Sequence, residues 1–490
     1  MEPNPHQDPA LAEPEAKQRL LHSSISAYGS MLVRLLLAFA ARAILARLIL
    51  PDVHGLFALA LQFVIMASAI RDVGLTHHLM RDPRESYGTV LAWSVGVGAA
   101  MSVLLVALAD LFSTLNPDLP GVLRAMAIWI VIDAVIMVYR TFFERRLRIR
   151  EIAGFEILRS LVYGLIAVGL AHLGAGVWAF VGGELLASTL FAGLLLWRAR
   201  GQVPLTVDWQ RLPGLLRASR YLFVVWAASQ AFHRVDIFII EIFSTTTYVG
   251  YYDYAYYFAF LVALTVTPRP LLPALVEFRD DAVEFAETLR LGTVVFLSGI
   301  VLSAYLLFFN ADKAVAIILG PEWTGTTPLL RVLCLVPLVD VFTTTGGEAL
   351  KVQNRDRLWL TTVVLNMLAI VGFGLLFTYN WGPIGMAWAN FARLGSLLML
   401  IKIFGIFAGQ RRKLVSSLAQ VYLLPLPFFL AAAALLPAGS WGRLLASVAA
   451  AALGGGLLAL RFLPDYRRFF RRAQAAPAGM TGSPDGGTAP

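Results

Sequence analysis

Three arginines lie in one apolar stretch near the start of the chain, "RLLLAFAARAILARLILPDVHG" at residues 34–55. An arginine at the centre of a bilayer costs at least about 2.5–3.5 kcal/mol, so charges inside spans usually face a bundle interior or a water-filled cavity. Arg34 and Arg42 are eight residues apart and fall within about 80° of each other on one helix face. Arg47 lies further round, near the helix end, where its side chain is able to reach the membrane surface.

A second charged segment, "YLFVVWAASQAFHRVDIFIIEIF", occupies residues 221–243. Gln230, Arg234 and Glu241 are spaced by four and seven residues, which places them on one helical stripe. His233 and Asp236 form a neighbouring stripe. Charged stripes in two separate spans indicate a hydrated cavity between two groups of helices.

Packing remains an alternative to a cavity, because Arg234 is able to pair with Asp236 or Glu241, and Arg42 with Asp133. Among the acids, Asp236 and Asp253 are as good candidates as His233 for a proton or cation site. Further polar residues inside apolar segments are candidates for the same cavity: Asp133, Glu184, Asp253, Asp340, Asn366, Asn390 and Arg393.

Arginine carries a planar, permanently charged fork that binds phosphate oxygens through two hydrogen bonds. A cavity with several arginines therefore predicts an anionic substrate, phosphate or diphosphate above all. The segment "YVGYYDYAYYFAF" (248–260) contains six tyrosines, and five of them crowd positions 251, 252, 254, 256 and 257. They favour an aromatic belt at the membrane surface, and the alternative is a set of stacking faces for sugar rings.

The composition excludes several classes of protein. Of 490 residues, 58% are hydrophobic and 14% charged, whereas soluble domains have about 25% charged residues. The net charge of +9 comes from short basic loops, so we expect no nucleic-acid partner. Cys334 is the single cysteine, which excludes an intrachain disulfide and a thiolate metal cluster. The sequence has no GxxxxGK[ST], HExxH or GxSxG motif, so we predict no enzyme activity, cofactor or metal.

The apolar segments predict an all-α integral membrane protein with about fourteen transmembrane helices, since about 20 apolar residues cross a bilayer. The predicted spans are 25–49, 54–71, 89–110, 121–141, 157–173, 176–197, 220–243, 248–268, 291–309, 328–346, 358–379, 383–404, 417–436 and 441–463.

Basic and uncharged loops alternate along the chain, and basic loops face the cytoplasm. An even number of spans then places both termini in the cytoplasm. Residues 46–64 resemble residues 240–259 when Gly55 is set opposite Gly250, which indicates two six-helix lobes in the same orientation. The predicted regions are a disordered cytoplasmic tail (1–24), an N-terminal lobe (25–200), a C-terminal lobe (220–404), two further helices (414–464) and a disordered tail (473–490).

The segment "ARLILPDVHGLFALALQFVIMASAIRDVGL" (46–75) resembles the opening signature of the polysaccharide transporters, the Wzx-type lipid-linked oligosaccharide flippases of the MOP exporter superfamily. A second segment, "ILGPEWTGTTPLLRVL" (318–333), resembles the turn before the tenth span in that family. Leu50 departs from the usual glycine. The matching positions of the first segment are Arg47, Pro51, Asp52, Gly55, Phe57, Asp72 and Gly74.

The resemblance implies a V-shaped protein of two six-helix lobes and two terminal helices in the bacterial inner membrane. It implies translocation of undecaprenyl diphosphate-linked oligosaccharide repeat units by alternating access, for O-antigen, capsule or exopolysaccharide synthesis. By position, the arginines that hold the diphosphate in related flippases correspond here to Arg34, Arg42 and Arg234. It also implies coupling to a cation or proton gradient. A polysaccharide polymerase and chain-length proteins are the partners expected beside the substrate.

Two other functions remain as alternatives. A drug or lipid exporter of the same superfamily would favour acidic cavity residues, whereas the first half begins with Arg34 and Arg42. A polysaccharide polymerase or ligase would carry a large outer loop, and the longest candidate, "NADKAVAIILGPEWTGTTP" (310–328), is short.

Overall fold

The structure, a computed structural model, describes residues 29, 32–72, 74–80, 86–146, 148–217, 234–265, 271–406 and 411–475. Within these ranges all regular secondary structure is helical. The first eight helices are α1 (32–48), α2 (Pro51–Asp72), α3 (Leu75–Leu79), α4 (Tyr87–Leu108), α5 (Leu119–Arg145), α6 (Ile149–His172), α7 (Val177–Arg198) and α8 (212–217).

The remaining helices follow the gap at 218–233. They are α9 (Val235–Phe243), α10 (Thr246–Thr265), α11 (Leu271–Glu277), α12 (Ala282–Ile318), α13 (Thr326–Leu333), α14 (Val336–Val352), α15 (Asp356–Trp381), α16 (Pro383–Ala389), α17 (Leu394–Ile406), α18 (Arg411–Leu423), α19 (Leu426–Leu435) and α20 (Trp441–Ala475). Short 3₁₀ helices at Ala109–Thr114 and Pro321–Trp323 join α4 to α5 and α12 to α13.

Ten helical segments in the described ranges are long and apolar enough to cross a membrane, and they coincide with ten of the predicted spans. This confirms an all-α membrane fold. The other four predicted spans correspond to α1, to α9, to α10 and to α16 with α17. Part of the predicted span 220–243 lies outside the described residues, and the total of fourteen stays a prediction.

Local sequence explains where several helices begin and end. Asp281 caps α12, because its carboxylate accepts hydrogen bonds from the backbone N–H groups of Val283 and Glu284 at 2.9 and 3.0 Å and so satisfies donors that the helix leaves unpaired. Gly382 (φ +63°) ends α15, and Pro383 starts α16. Arg47 is exposed and donates to the carbonyls of Ile317 and Ile318 at the end of α12; its position at the membrane surface stays a prediction.

The helices of the first half contact the second half chiefly where α2 packs along α10. Two glycines allow this close approach. A Cβ atom on Gly55 would overlap the carbonyl oxygen of Thr246, and one on Gly250 would overlap the carbonyl oxygen of Pro51. The two positions that the internal repeat sets opposite each other are therefore in contact.

The last three helices pack on α12. Arg290 of α12, 1% exposed, donates to Glu287 at 2.9 Å, to Ser417 of α18 at 3.0 Å and to Asp465 of α20 at 3.1 Å. Helix α20 continues to Ala475, so the first three residues of the predicted disordered tail (473–490) are helical, and the rest of that tail lies outside the described residues. The other predicted tail, 1–24, lies outside the described residues, and the lobe boundaries stay a prediction.

We expect Gly55→Ala to lower the melting temperature of the detergent-solubilised protein. The added methyl group meets backbone atoms of α10, and overpacking of this kind costs about 1–3 kcal/mol. Gly96→Ala on α4 is the matched control, because a Cβ there meets no atom within 4 Å and alanine favours a helix. Equal melting temperatures for the two variants would contradict the close contact of α2 with α10.

Candidate functional site

Asp253 of α10 is the centre of a charged cluster between the two halves of the chain. Its Oδ1 accepts a hydrogen bond from Arg234 at 2.7 Å, and its Oδ2 lies 2.9 Å from Nε2 of His54 on α2. Nη1 of Arg42, on α1, lies 3.5 Å from the same Oδ2 without forming a hydrogen bond. The Arg42 side chain is 33% exposed and that of Asp253 is 7% exposed. The cluster thus places two guanidinium groups on one carboxylate.

Tyrosines of α10 support this cluster. The guanidinium of Arg42 lies over the ring of Tyr257 at 4.1 Å, and that of Arg234 over Tyr256 at 4.7 Å. Tyr254 donates to the backbone carbonyl of Arg42 at 2.9 Å. Tyr252 and Tyr254 are fully buried. The predicted aromatic belt is therefore wrong for these two, because they face helices of the same protein.

A second cluster lies on the first half, around Glu156 of α6. This carboxylate, 11% exposed, accepts a hydrogen bond from Arg34 of α1 and forms an ion pair with Arg140 of α5, whose Nη1 lies 3.0 Å from Oε1. Arg140 also donates to Glu144 at 2.7 Å. Arg34 and Arg42 are eight residues apart, which is about 12 Å along a helix. Helix α1 thus contributes one arginine to each of two sites at which two arginines share one acid.

Asp133 pairs with Arg71 and not with Arg42. It accepts from Arg71 of α2 at 2.9 Å, and Arg71, which is 1% exposed, also donates to the carbonyl of Ile130 at 2.5 Å. The predicted pairing of Arg42 with Asp133 is wrong, because Arg42 turns toward α10. Helix periodicity gives the face of a residue but not the helix that it meets.

The stripe predicted for residues 230–241 is not a continuous helical face in the described residues. Helix α9 begins at Val235, and Arg234 has φ −136°. Arg234 joins Asp253, whereas Glu241 accepts from Thr246 at 2.7 Å. Nε of Arg234 lies 3.5 Å from Asp236, in agreement with the packing alternative. Gln230 and His233 lie outside the described residues.

The sequence predicts only the acid of a third pair, in which Glu184 meets Arg159. Glu184 of α7 accepts from Arg159 of α6 and from the indole of Trp129 at 3.0 Å. Arg159 lies in the basic segment "RTFFERRLRIREIAGFEILRS", whose charge was attributed to membrane topology. Helix α6 begins at Ile149, so Arg159 lies ten residues inside a membrane-spanning helix. Its distance from the cluster of arginines that precedes the helix is the signal that marks it as an interior charge.

The second half contains a cavity of about 310 Å³. It is lined by Asp236 of α9, Tyr256 and Phe260 of α10, Asp340 of α14, Asn366 of α15, and Asn390 and Arg393 at the end of α16, together with apolar residues. Arg393 donates to Asp340 at 2.5 Å. Within the described ranges, no three His, Cys, Asp or Glu side chains form a group suited to a metal ion.

We expect Asp133→Ala to reduce the amount of folded protein in the membrane strongly. It leaves the Arg71 guanidinium buried without its carboxylate, a change that costs about 3–5 kcal/mol. Asp110→Ala is the control, because it breaks the exposed Arg124–Asp110 pair, and exposed pairs contribute little. Membrane protein level and detergent melting temperature measure the difference. A normal level of Asp133→Ala with an unchanged melting temperature would contradict a structural role for this pair.

Comparison with known proteins identifies a family and a relative. A family model described as "Polysaccharide biosynthesis protein" matches residues 44–328. The chain is similar to the succinoglycan biosynthesis transport protein ExoT of Rhizobium meliloti (strain 1021), with 26% identity over 308 residues; the match covers 61% of this chain and 62% of that protein.

Two solved structures share the fold. The lipid II flippase MurJ in an inward closed conformation superposes with a TM-score of 0.71 at 14% identity, over 90% of this chain and 100% of that one. An inward-facing multidrug resistance MATE family transporter of the MOP superfamily gives 0.57 at 16% identity, over 77% and 96%. The fold is thus that of MOP-superfamily transporters, and the molecule is a multi-pass membrane protein. Because the family model spans more than half of the sequence, the chain belongs to the polysaccharide biosynthesis protein family.

Proposed function

We propose that this protein translocates undecaprenyl diphosphate-linked oligosaccharide repeat units across the bacterial inner membrane for synthesis of a surface polysaccharide. Three comparisons support the proposal: the family is one of polysaccharide biosynthesis, the named relative is a biosynthesis transport protein, and MurJ, whose fold the chain shares, is called a lipid II flippase. The relative is called a transport protein and the structural neighbour a lipid II flippase, and together with the family they favour transport of a lipid-linked saccharide.

One observation carries the proposal, namely the sharing of each cavity carboxylate by two arginines. Arg42 and Arg234 both approach Asp253, and Arg34 and Arg140 both approach Glu156. One carboxylate uses only part of the ten N–H donors that two guanidinium groups offer. The side chains of Arg34 and Arg42 are 36% and 33% exposed, so the protein leaves part of each uncovered for a diphosphate.

The geometry suggests a two-step path for the diphosphate. Two oxygens of a phosphate match the two N–H groups of the guanidinium fork. The phosphate is therefore able to replace part of the arginine–carboxylate contact, first at Glu156 and then at Asp253. The lipid tail remains in the bilayer beside the cavity, and the saccharide occupies the polar interior. Rocking of the two halves about the cavity, as in other transporters built from repeats, then exposes the site to the opposite side.

Separation of α2 from α10 is the rearrangement that such rocking requires. These helices meet through Gly55 and Gly250 and through the contact of His54 with Asp253. Trp323 adds a hydrogen bond from its indole to the carbonyl of Ala46 at 2.6 Å. These contacts hold the beginnings of α2 and α10 together, and they must break for release at that end.

The proposal also includes the coupling ion, the orientation of the termini and the partner proteins. Asp253 is already engaged by His54 and Arg234, and Asp236 lies 3.5 Å from Arg234, so Glu241, which accepts from Thr246, is the better candidate for a proton or cation. We place both termini in the cytoplasm on the alternation of basic loops. A polymerase and chain-length proteins are the expected recipients of the translocated unit.

We expect Arg42→Ala to abolish surface polysaccharide and to leave lipid-linked intermediate in the inner leaflet, at a normal protein level. Arg42→Lys keeps the charge but loses the planar fork, so it should restore only part of the activity. Polysaccharide yield and extracted lipid-linked intermediate are the measurements, and Arg124→Ala at an exposed pair is the control. Normal polymer from stable Arg42→Ala protein would exclude diphosphate binding by this residue.

The Glu156 site should show dependence between its two arginines. In Arg34→Ala or Arg140→Ala, one guanidinium still serves the carboxylate, so we expect a partial loss of polymer from each. The double variant should lose more than the product of the two single effects, because residues on a shared partner are not additive. Strictly multiplicative losses would indicate two independent contacts and would contradict a shared diphosphate site. Accumulation of intermediate distinguishes blocked translocation from blocked synthesis.

A further inference from the structure

The cavity of about 310 Å³ in the second half has a composition different from that of the arginine sites. We propose that it binds a sugar residue of the lipid-linked oligosaccharide, and this inference rests on the proposed function. Its volume is at the lower end of small-molecule pockets, which span roughly 300–1,000 Å³. It equals roughly ten waters at about 30 Å³ each, enough for a pyranose ring with its hydroxyl groups and a few bridging waters.

The polar lining is fixed in place before any ligand enters. Nδ2 of Asn390 donates to the hydroxyl of Tyr252 at 2.9 Å and to the carbonyl of Met386 at 3.0 Å, which sets the plane of its amide. Nε of Arg393 donates to the backbone carbonyl of Asn390 at 3.0 Å. Asp236, which is 4% exposed, accepts from the N–H of Ile237 at 2.9 Å. Planar amides, carboxylates and a guanidinium held in this way offer several donors and acceptors to hydroxyl groups.

An apolar face completes the lining. The rings of Tyr256 and Phe260 are stacked, with centroids 4.4 Å apart and planes inclined by 19°. Both rings line the cavity beside the polar groups. Pyranose rings carry C–H groups on one face and hydroxyls around the rim, so an aromatic surface next to planar polar groups matches both parts of a sugar.

The charges in the cavity favour a neutral ligand. Arg393 neutralises Asp340 directly, and Arg234 lies 3.5 Å from Asp236. A free cation would therefore enter a space that already contains a guanidinium group, and an anion would meet two carboxylates. Neither gains a net attraction, whereas a polyol is able to hydrogen-bond to both kinds of group.

The position of the cavity fits the order of groups in the substrate. Asp236 and Tyr256 both line the cavity and both contact Arg234, which in turn binds Asp253. A diphosphate held by Arg42 and Arg234 would thus have the cavity directly beyond these two side chains. The first sugars of the oligosaccharide follow the diphosphate and would occupy that space.

The test compares two probes on purified full-length protein in lipid nanodiscs: undecaprenyl diphosphate, and undecaprenyl diphosphate-linked repeat unit extracted from the host. Asn366→Ala removes a polar group from the cavity, and Val363→Phe fills it. We expect each to weaken binding of the saccharide-linked lipid roughly three- to tenfold, the effect of about one hydrogen bond or one blocked contact, with undecaprenyl diphosphate unaffected. Val103→Phe, on the exposed face of α4, is the matched control.

Other outcomes separate the possible failures. Equal affinities of wild type and both cavity variants for the saccharide-linked lipid would overturn the sugar site. A sodium-dependent rise in melting temperature that Asn366→Ala abolishes, with lipid binding intact, would make the cavity a cation site instead. Failure of wild-type protein to bind either lipid would refute the proposed function itself. Arg42→Ala should weaken binding of both probes, which distinguishes the diphosphate site from the sugar site.

Discussion

The need to neutralise arginine in an apolar environment determines much of this structure. A guanidinium group stays charged at any accessible pH, so inside the membrane it must have a carboxylate or water beside it. Arg71 meets Asp133 between α2 and α5, Arg159 meets Glu184 between α6 and α7, and Arg290 meets Asp465 between α12 and α20. Each pair joins two different helices. Charge neutralisation therefore selects which apolar helices become neighbours, a choice that hydrophobicity alone does not make in lipid.

The pairs differ in a way that separates structure from function. Arg71 and Arg290 are each 1% exposed and are surrounded by hydrogen-bond partners within the helix bundle, so they have little to offer a ligand. Arg34 and Arg42 are about one-third exposed and share their carboxylates with a second arginine. The first kind of site stabilises helix packing. The second kind retains N–H donors that the shared carboxylate does not use, which is what the proposed anionic substrate would require.

The sequence predicts the membrane fold well, because spans depend on local composition, and ten of them are found where the apolar segments lie. It predicts which residues are polar in the interior less completely. Asp253, Asp340, Asn390 and Arg393 are evident as polar residues in apolar segments, but their partners are not. Arg42 meets Asp253, 211 residues away, and helix periodicity contains no information on such a distant neighbour. The predicted membrane-surface belt is wrong for Tyr252 and Tyr254 for the same reason. Tyrosines buried between helices and tyrosines exposed at a membrane surface give the same local sequence pattern.

Sharing one carboxylate between two arginines also suits transport better than an isolated arginine or an arginine that is fully paired. An isolated buried guanidinium would destabilise the empty protein, and if it folded it would hold a diphosphate too strongly to release it. A guanidinium fully paired with acids, like Arg290, would have to lose a partner before it bound anything. With two arginines on Asp253, the proposed diphosphate would exchange for only part of an existing contact, so the free energies of the empty and occupied sites would stay close. A transporter requires this balance, because the same site must bind on one side of the membrane and release on the other.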